Sequence, residues 1–293
     1  MRLRRSLTLF DVVLFFAIAC TNLQWVATAA AAGPTSLPVW LIGCAAMFIP
    51  VSIAVMSLSA KYPEEGGMYV WSKRAFGPFA GFMTGWTYWC TNLPYFPALL
   101  YFTAGNALFI SGGSAERLSG SPAYFIGVSL LCFALATIVN VLGLDIGKWL
   151  TNIGAISRFT VTFILIGLGV FAWHEFGSAT PLNASSMRPS LQLKDLIFWS
   201  VIAFAWTGPE AIPLMAGEVK NARRTIPLGL VIAAPGIAAI YILGTASVLA
   251  ALPAAHVSGL YGVMQAVGHV AGSLHWSALT IFAAVLVTIS CLG

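Results

Sequence analysis

The residues with the most chemical content sit where an apolar helix should run uninterrupted. In Phe204-Ala205-Trp206-Thr207-Gly208-Pro209-Glu210 an apolar stretch is broken by Thr-Gly-Pro and then by a carboxylate. In Ala19-Cys20-Thr21-Asn22-Leu23-Gln24 a second apolar stretch is broken by a polar cluster. Proline lacks an amide donor and pushes the preceding residue out of helical geometry, so the chain is expected to leave the helix at Gly208. A simple proline kink accounts for Thr207-Gly208-Pro209 but not for the adjacent Glu210. A broken helix has polarity. The half that ends leaves free carbonyls, which suit an ammonium; the half that restarts offers N–H groups, which suit a carboxylate. Cys20, Thr21, Asn22, Ala205, Trp206, Thr207 and Gly208 are therefore the candidate ligand contacts, with Trp206 also a candidate gate. The plainer alternative for Thr21 and Asn22 is a polar pair bonding neighbouring helices.

Two charges accompany the breaks. Glu210 follows the second one, and a carboxylate at membrane depth either carries a proton or makes a structural hydrogen bond. Arg158 is the only base inside a predicted span. Arginine stays protonated and does not itself carry protons; its plainer reading is snorkelling to the membrane surface. Asp11 lies at the start of the first apolar segment, where a helix-start role is expected.

The elements that must position these residues are membrane helices. Apolar residues make up 59% of the chain and charged residues 8%, and mean hydropathy is +0.90; soluble domains carry about 25% charged residues. About 20 apolar residues cross a hydrocarbon core. Eight stretches are predicted to do so: 9–32, 37–60, 80–110, 124–144, 152–173, 196–216, 226–252 and 274–292. The third is long enough that it must tilt or project.

The net charge of +5 reads as topology rather than nucleic-acid binding. With the N-terminus inside, Arg2, Arg4, Arg5, Lys61, Lys73, Arg74, Lys148, Lys220, Arg223 and Arg224 lie inside. Only Arg117, Arg188 and Lys194 lie outside. That bias predicts a cytoplasmic N-terminus in a multi-pass plasma- or inner-membrane protein. Residues 1–32 imitate a signal peptide, but Asp11 interrupts the apolar run and seven more spans follow, so an uncleaved first span is expected. Cys20, Cys44, Cys90, Cys132 and Cys291 show no metal-binding spacing, and no metal or cofactor is implied. The sequon Asn183-Ala184-Ser185 falls in an outer loop.

Spans one to five (1–175) read as one unit and spans six onward (176–293) as a second. Span one starts inside and span six outside, so the second unit is inverted. Each opens with a broken helix, and each carries a long amphipathic connection after its second span, at 61–78 and 253–272. Paired breaks in inverted repeats are the sequence mark of a transporter binding site, because irregular backbone at that depth must line a cavity.

The stretch Tyr62-Pro63-Glu64-Glu65-Gly66-Gly67-Met68-Tyr69-Val70-Trp71, followed by Lys73-Arg74-Ala75-Phe76-Gly77-Pro78, resembles the signature between the second and third helices of the amino acid–polyamine–organocation superfamily of permeases. Trp206-Thr207-Gly208-Pro209-Glu210-Ala211 resembles that family's sixth-helix break. The stretch Gly217-Glu218-Val219-Lys220-Asn221-Ala222-Arg223-Arg224-Thr225-Ile226-Pro227 resembles the loop that follows. The resemblance implies an all-α membrane protein with a leucine-transporter-like five-plus-five inverted repeat. It implies a permease moving amino acids or related amines by alternating access. It also sets Arg158 at the position where some proton-coupled members carry lysine and sodium-coupled relatives bind a cation, so coupling to protons or to exchange is expected. Two departures stand out. The family's Gly-x-Gly in the first break corresponds to Ala19-Cys20-Thr21, which leaves a carboxylate seat to the Thr21 hydroxyl. Twelve helices are usual and eight are present, so the second repeat is incomplete and a fragment is expected.

Other classes fit less well. A seven-helix receptor begins outside. An intramembrane enzyme would need a hydrolase or metalloprotease motif, and none is present; His174, His256, His269 and His275 all fall in outer segments or at an outer edge. A channel would need a filter loop or charged ring. A truncated, non-transporting fragment is the remaining alternative. On the third span, Trp86, Tyr88, Trp89, Tyr95, Phe96 and Tyr101 are expected mostly to pack or to face lipid, with one or two covering a ligand.

Overall fold

The computed structural model describes residues 5–111, 118–189 and 192–293. Arg2, Arg4 and Arg117 of the charge bias lie outside the described residues. Apart from one isolated bridge, regular structure among the described residues is helical. The helices are α1 (Leu9–Ala19), α2 (Leu23–Ala31), α3 (Ser36–Gly43), α4 (Ile49–Lys61), α5 (Gly67–Phe76) and α6 (Pro78–Ala107). They continue with α7 (Pro122–Leu142), α8 (Leu144–Phe176), α9 (Leu193–Ala205), α10 (Ala222–Ala251), α11 (Gly262–Ser273) and α12 (Ser277–Leu292).

Six segments of the described chain are long and apolar enough to cross a membrane: Leu9–Ala31, Ser36–Lys61, Pro78–Ile110, Pro122–Leu142, Ile146–Phe176 and Ala222–Ala251. The protein is a multi-pass helical membrane protein. Two of the eight expected spans do not reach that length as single helices. In place of a span over 196–216 stands the 13-residue α9, because the chain leaves the helix at Trp206 and resumes as a 3₁₀ segment, Ile212–Glu218. Thirteen residues rise about 20 Å, short of a core about 30 Å thick. Stretch 274–292 becomes a helix only at Ser277 and runs 16 residues.

Local chemistry explains the boundaries. Thr8 and Asp11 form a reciprocal capping box at the start of α1: the Thr8 N–H donates to Asp11 Oδ2 at 2.9 Å and the Asp11 N–H donates to Thr8 Oγ1 at 3.4 Å. The other Asp11 oxygen accepts from Asn152 Nδ2 at 2.7 Å, tying α1 to α8. The 36–61 span stays continuous through a π-helical turn, Cys44–Phe48, which joins α3 to α4. Both amphipathic connections carry helices, α5 and α11.

The long α10 is the central post, packing against α1, α2, α4 and α8, while α12 packs against α6, α8 and α11. Outward faces are apolar: Phe82, Trp89, Leu130, Phe163 and Val231 are all exposed, as lipid contact requires.

At one end of the bundle the 62–78 connection docks on the 3₁₀ segment Ile212–Glu218. The Gly66 N–H donates to the Leu214 carbonyl at 3.3 Å. Gly67 (φ +44°) sits so close to Pro213 and Leu214 that a Cβ would lie 3.1 Å from their backbone atoms. The chain before α1 joins this clasp. The Leu7 N–H donates to Glu218 O at 3.1 Å, and the Lys220 N–H donates to Leu7 O at 2.9 Å. Glu218 Oε2 is buried there without a hydrogen-bond partner, and burial, then the nearby Glu65 charge, pushes its carboxyl above the ordinary carboxylate range. A folded-state pKa above the unfolded one gives stability that is full at low pH and is lost as pH rises through that interval. Glu218→Gln should therefore raise the melting temperature slightly at neutral pH and have no effect below the unfolded-state pKa, as read by melting in detergent across pH.

Candidate functional site

The two breaks meet in space. α1 ends at Cys20 and α2 restarts after Asn22; α9 ends at Trp206. Gly208 adopts φ +124°. A Cβ there would lie 2.7 Å from the Ala19 carbonyl oxygen and 2.9 Å from Cys20 Cα. The backbone of one break is thus seated on the other.

Tyr241, midway along α10, fastens the pair. Its hydroxyl lies 3.0 Å from both the Cys20 and the Ala205 carbonyl oxygens and accepts the Asn22 N–H at 3.2 Å. A phenol has one proton, so it donates to one of the two carbonyls at a time. The ring stacks on Trp40 at 4.3 Å, and Trp40 Nε1–H donates to Thr245 Oγ1 at 3.0 Å. The sequence reading missed Tyr241. Its one signal was a hydroxyl inside an apolar span, which at that depth must find a partner.

Arg158 is 4% exposed and points into the bundle. Its Nε donates to Ser290 Oγ at 2.7 Å and Nη2 to Ser290 O at 3.3 Å. Nη1 donates to Ile18 O at 3.2 Å and to Thr21 Oγ1 at 3.4 Å. It forms no ion pair among the described residues. Its charge rests instead on the carbonyl end of α1, the negative pole of that half-helix.

A cavity of about 1150 Å³ opens beside the breaks, walled by α1, α2, α6, α7, α8, α9 and α12, with Met68 of α5 and Tyr241 of α10. Thr21, Asn22, Ala205, Thr207, Gly208, Glu210 and Arg158 line it; Cys20 and Trp206 do not. Cys20 meets the site through its backbone, its Cα against Gly208 and its carbonyl at Tyr241. Trp206 is 1% exposed, turned into a cluster with Phe48 (5.0 Å), Tyr241 (5.2 Å) and Trp40 (5.6 Å). Each helical residue turns about 100°, so Phe204 and Thr207 face the cavity while Trp206 backs the break. Of the aromatics flagged on α6, Tyr88, Tyr95 and Phe96 line the cavity, while Trp86, Trp89 and Tyr101 face outward.

The threonines of the wall share one polarity. The hydroxyls of Thr84, Thr87 and Thr91 on α6, Thr137 on α7 and Thr207 after α9 donate to carbonyls of their own helices at 2.7–2.9 Å. Their protons are spent, which leaves oxygen lone pairs to the cavity. Thr21 likewise donates to Ala17 O, so it is not the free donor that a carboxylate seat would need. At the restarted helix, the N–H groups of Asn22, Gln24 and Trp25 already have partners in Tyr241 Oη, Asn22 Oδ1 and Asn22 O. Among the described residues Glu210 is the one carboxylate side chain lining the cavity, and its Oε2 accepts the Gly208 N–H at 2.9 Å. No group of metal-ligating side chains occurs among the described residues.

The cavity thus lies at the paired helix breaks, inside an apolar helical bundle of a multi-pass membrane protein. The chain belongs to the amino acid permease family, whose sequence profile matches residues 7–293. It is 28% identical over 286 residues to an uncharacterized transporter of Legionella pneumophila, covering 97% of this chain and 61% of that protein. It is 26% identical over 262 residues to a probable agmatine/putrescine antiporter of Lactococcus lactis, covering 89% of this chain and 55% of the relative. A polyamine transporter of Oryza sativa is 27% identical over 197 residues, 62% of this chain and 32% of the relative. The chain thus spans about three fifths of the length of the first two relatives.

Proposed function

We propose that this protein is a secondary transporter that moves organic amines, or amino acids through their ammonium group, by alternating access across the cell membrane. The observation that carries this reading is the acceptor-rich cavity wall, with Glu210 as its carboxylate and Arg158 already consumed by α1 and α12. A protonated amine supplies donors for these threonine oxygens and for Glu210. Two relatives named for agmatine, putrescine or polyamines support an amine. In this reading Thr21, Asn22, Ala205, Thr207 and Gly208 shape the substrate seat, and Trp206 and Cys20 hold the breaks in register behind it.

Coupling follows from the same two charges. Arg158 places a fixed cation against the carbonyl end of α1, where a bound sodium ion would otherwise find its ligands. Glu210 accepts either a proton or the substrate ammonium, which couples amine movement to protons or to exchange of a second amine. The paired breaks support a five-plus-five inverted repeat with units 1–175 and 176–293, the N-terminus in the cytoplasm.

The test is uptake by the full-length protein in proteoliposomes, offered labelled putrescine, agmatine, arginine and leucine with and without unlabelled amine inside. Uptake of an amine that persists when choline replaces sodium, and that Thr207→Val reduces at least tenfold, is the expected result. A strict sodium requirement would overturn the role given to Arg158. Absence of both uptake and exchange for all four solutes would overturn the reading itself.

A further inference from the structure

A second hollow, of about 550 Å³, lies at the start of α10, beside the end of α4. Arg223 and Arg224 line it together with Ala60, Pro227, Leu228 and Val231. Both arginines are exposed. Neither forms an ion pair with a described residue, and no carboxylate side chain lines the hollow. The N-cap of α10, Asn221, also lines it; it is held at φ +49° and gives the helix no side-chain cap, so the positive end of a 30-residue helix adds to the same field. Lys61 closes α4 and Lys220 precedes α10, adding positive charge to both flanks.

The character changes within two turns. Leu228 and Val231 are 40% and 55% exposed. On a membrane-spanning helix, exposed apolar side chains meet acyl chains. Guanidinium groups hold phosphate by paired hydrogen bonds, and basic pockets between spanning helices at the membrane surface suit anionic headgroups. A charged mouth leading to an apolar wall fits an amphiphile; a free inorganic anion would have no use for the second half.

We propose that this hollow binds an anionic phospholipid of the adjoining leaflet. Arg223 and Arg224 hold the phosphodiester, and the first methylenes of one chain lie on Leu228 and Val231. The site is separate from the central cavity, with which it shares no lining residue.

The test is native mass spectrometry of the full-length protein in mild detergent, given equimolar phosphatidylglycerol and phosphatidylcholine. Phosphatidylglycerol adducts should dominate. Arg223→Gln or Arg224→Gln should weaken them about 5-fold, and both together about 30-fold, from about 1 kcal/mol per basic residue near the surface. A charge-matched control, Lys73→Gln with Arg188→Gln, should leave them unchanged. Val231→Asp, which keeps both arginines, should also reduce them, and it serves if the arginine variants fold poorly. Equal retention of the two lipids, or retention unaffected by both the arginine pair and Val231→Asp, would overturn the proposal. Complete displacement by soluble glycerol 3-phosphate would overturn it in favour of a simple phosphate site.

Discussion

Gly208→Ala is expected to destabilise the protein by about 3 kcal/mol or more and to abolish substrate binding with it. Two independent effects add. The glycine sits at φ +124°, a conformation that costs a residue with a Cβ about 1–3 kcal/mol. The new methyl would also stand 2.7 Å from the Ala19 carbonyl oxygen and 2.9 Å from Cys20 Cα. These are backbone atoms of the other break, and they cannot rotate away as a flexible side chain would. Relief requires the two breaks to part, which withdraws Cys20 O and Ala205 O from their common partner Tyr241. The measurement is melting in detergent, with and without amine. A variant that melts within about 1 kcal/mol of the parent would show that the breaks are not seated on each other. Because Gly208 variants lose binding through lost apposition, they do not isolate the substrate seat. Thr207→Val does: it removes one hydroxyl from the wall and should cost only about 1 kcal/mol in stability.

How much of this was legible in the sequence follows from which forces are local. The two breaks were readable because Thr-Gly-Pro and a polar triplet are local events that end a helix whatever surrounds them. Asp11 was readable as a helix start because a capping box spans four residues. The lengths of the last spans were not, because apolar composition continues past the break and hides that the helix of the sixth span ends at Ala205 and gives way to a 3₁₀ segment. Facing was the larger loss. Trp206 looked like the natural gate because it stands in the break, yet its rotation about the helix axis is set by Trp40, Phe48 and Tyr241, which lie 166, 158 and 35 positions away in the chain. The state of each hydroxyl proton was likewise invisible. Thr21 was a candidate donor to a carboxylate until its proton was found on Ala17 O, and that shift moves the substrate reading from acid toward amine.

Tyr241→Phe should lower stability by about 2–3 kcal/mol while leaving the aromatic stack in place. Phenylalanine keeps the ring against Trp40, so packing changes little. What is lost is the hydroxyl between three backbone groups: the Asn22 N–H and the Cys20 and Ala205 carbonyls. A buried polar group stripped of its partner costs about 1–3 kcal/mol, and Asn22 N–H and at least one carbonyl are stripped together. The consequence for function differs from that of a general loss of packing. Asn22 also donates from Nδ2 to Tyr95 on α6 at 3.2 Å, so the hydroxyl fixes a residue of the cavity wall as well as both half-helix ends. Apparent affinity for amine should fall along with melting temperature. Thr245→Val provides the contrast: it takes the acceptor from Trp40 Nε1 and loosens the same aromatic stack, but touches neither break. Thr245→Val should lower stability and spare affinity, whereas Tyr241→Phe should lower both. Equal affinity in the two variants would mean that Tyr241 supports α10 alone, and that the breaks hold their geometry through Gly208 and the Arg158 contacts.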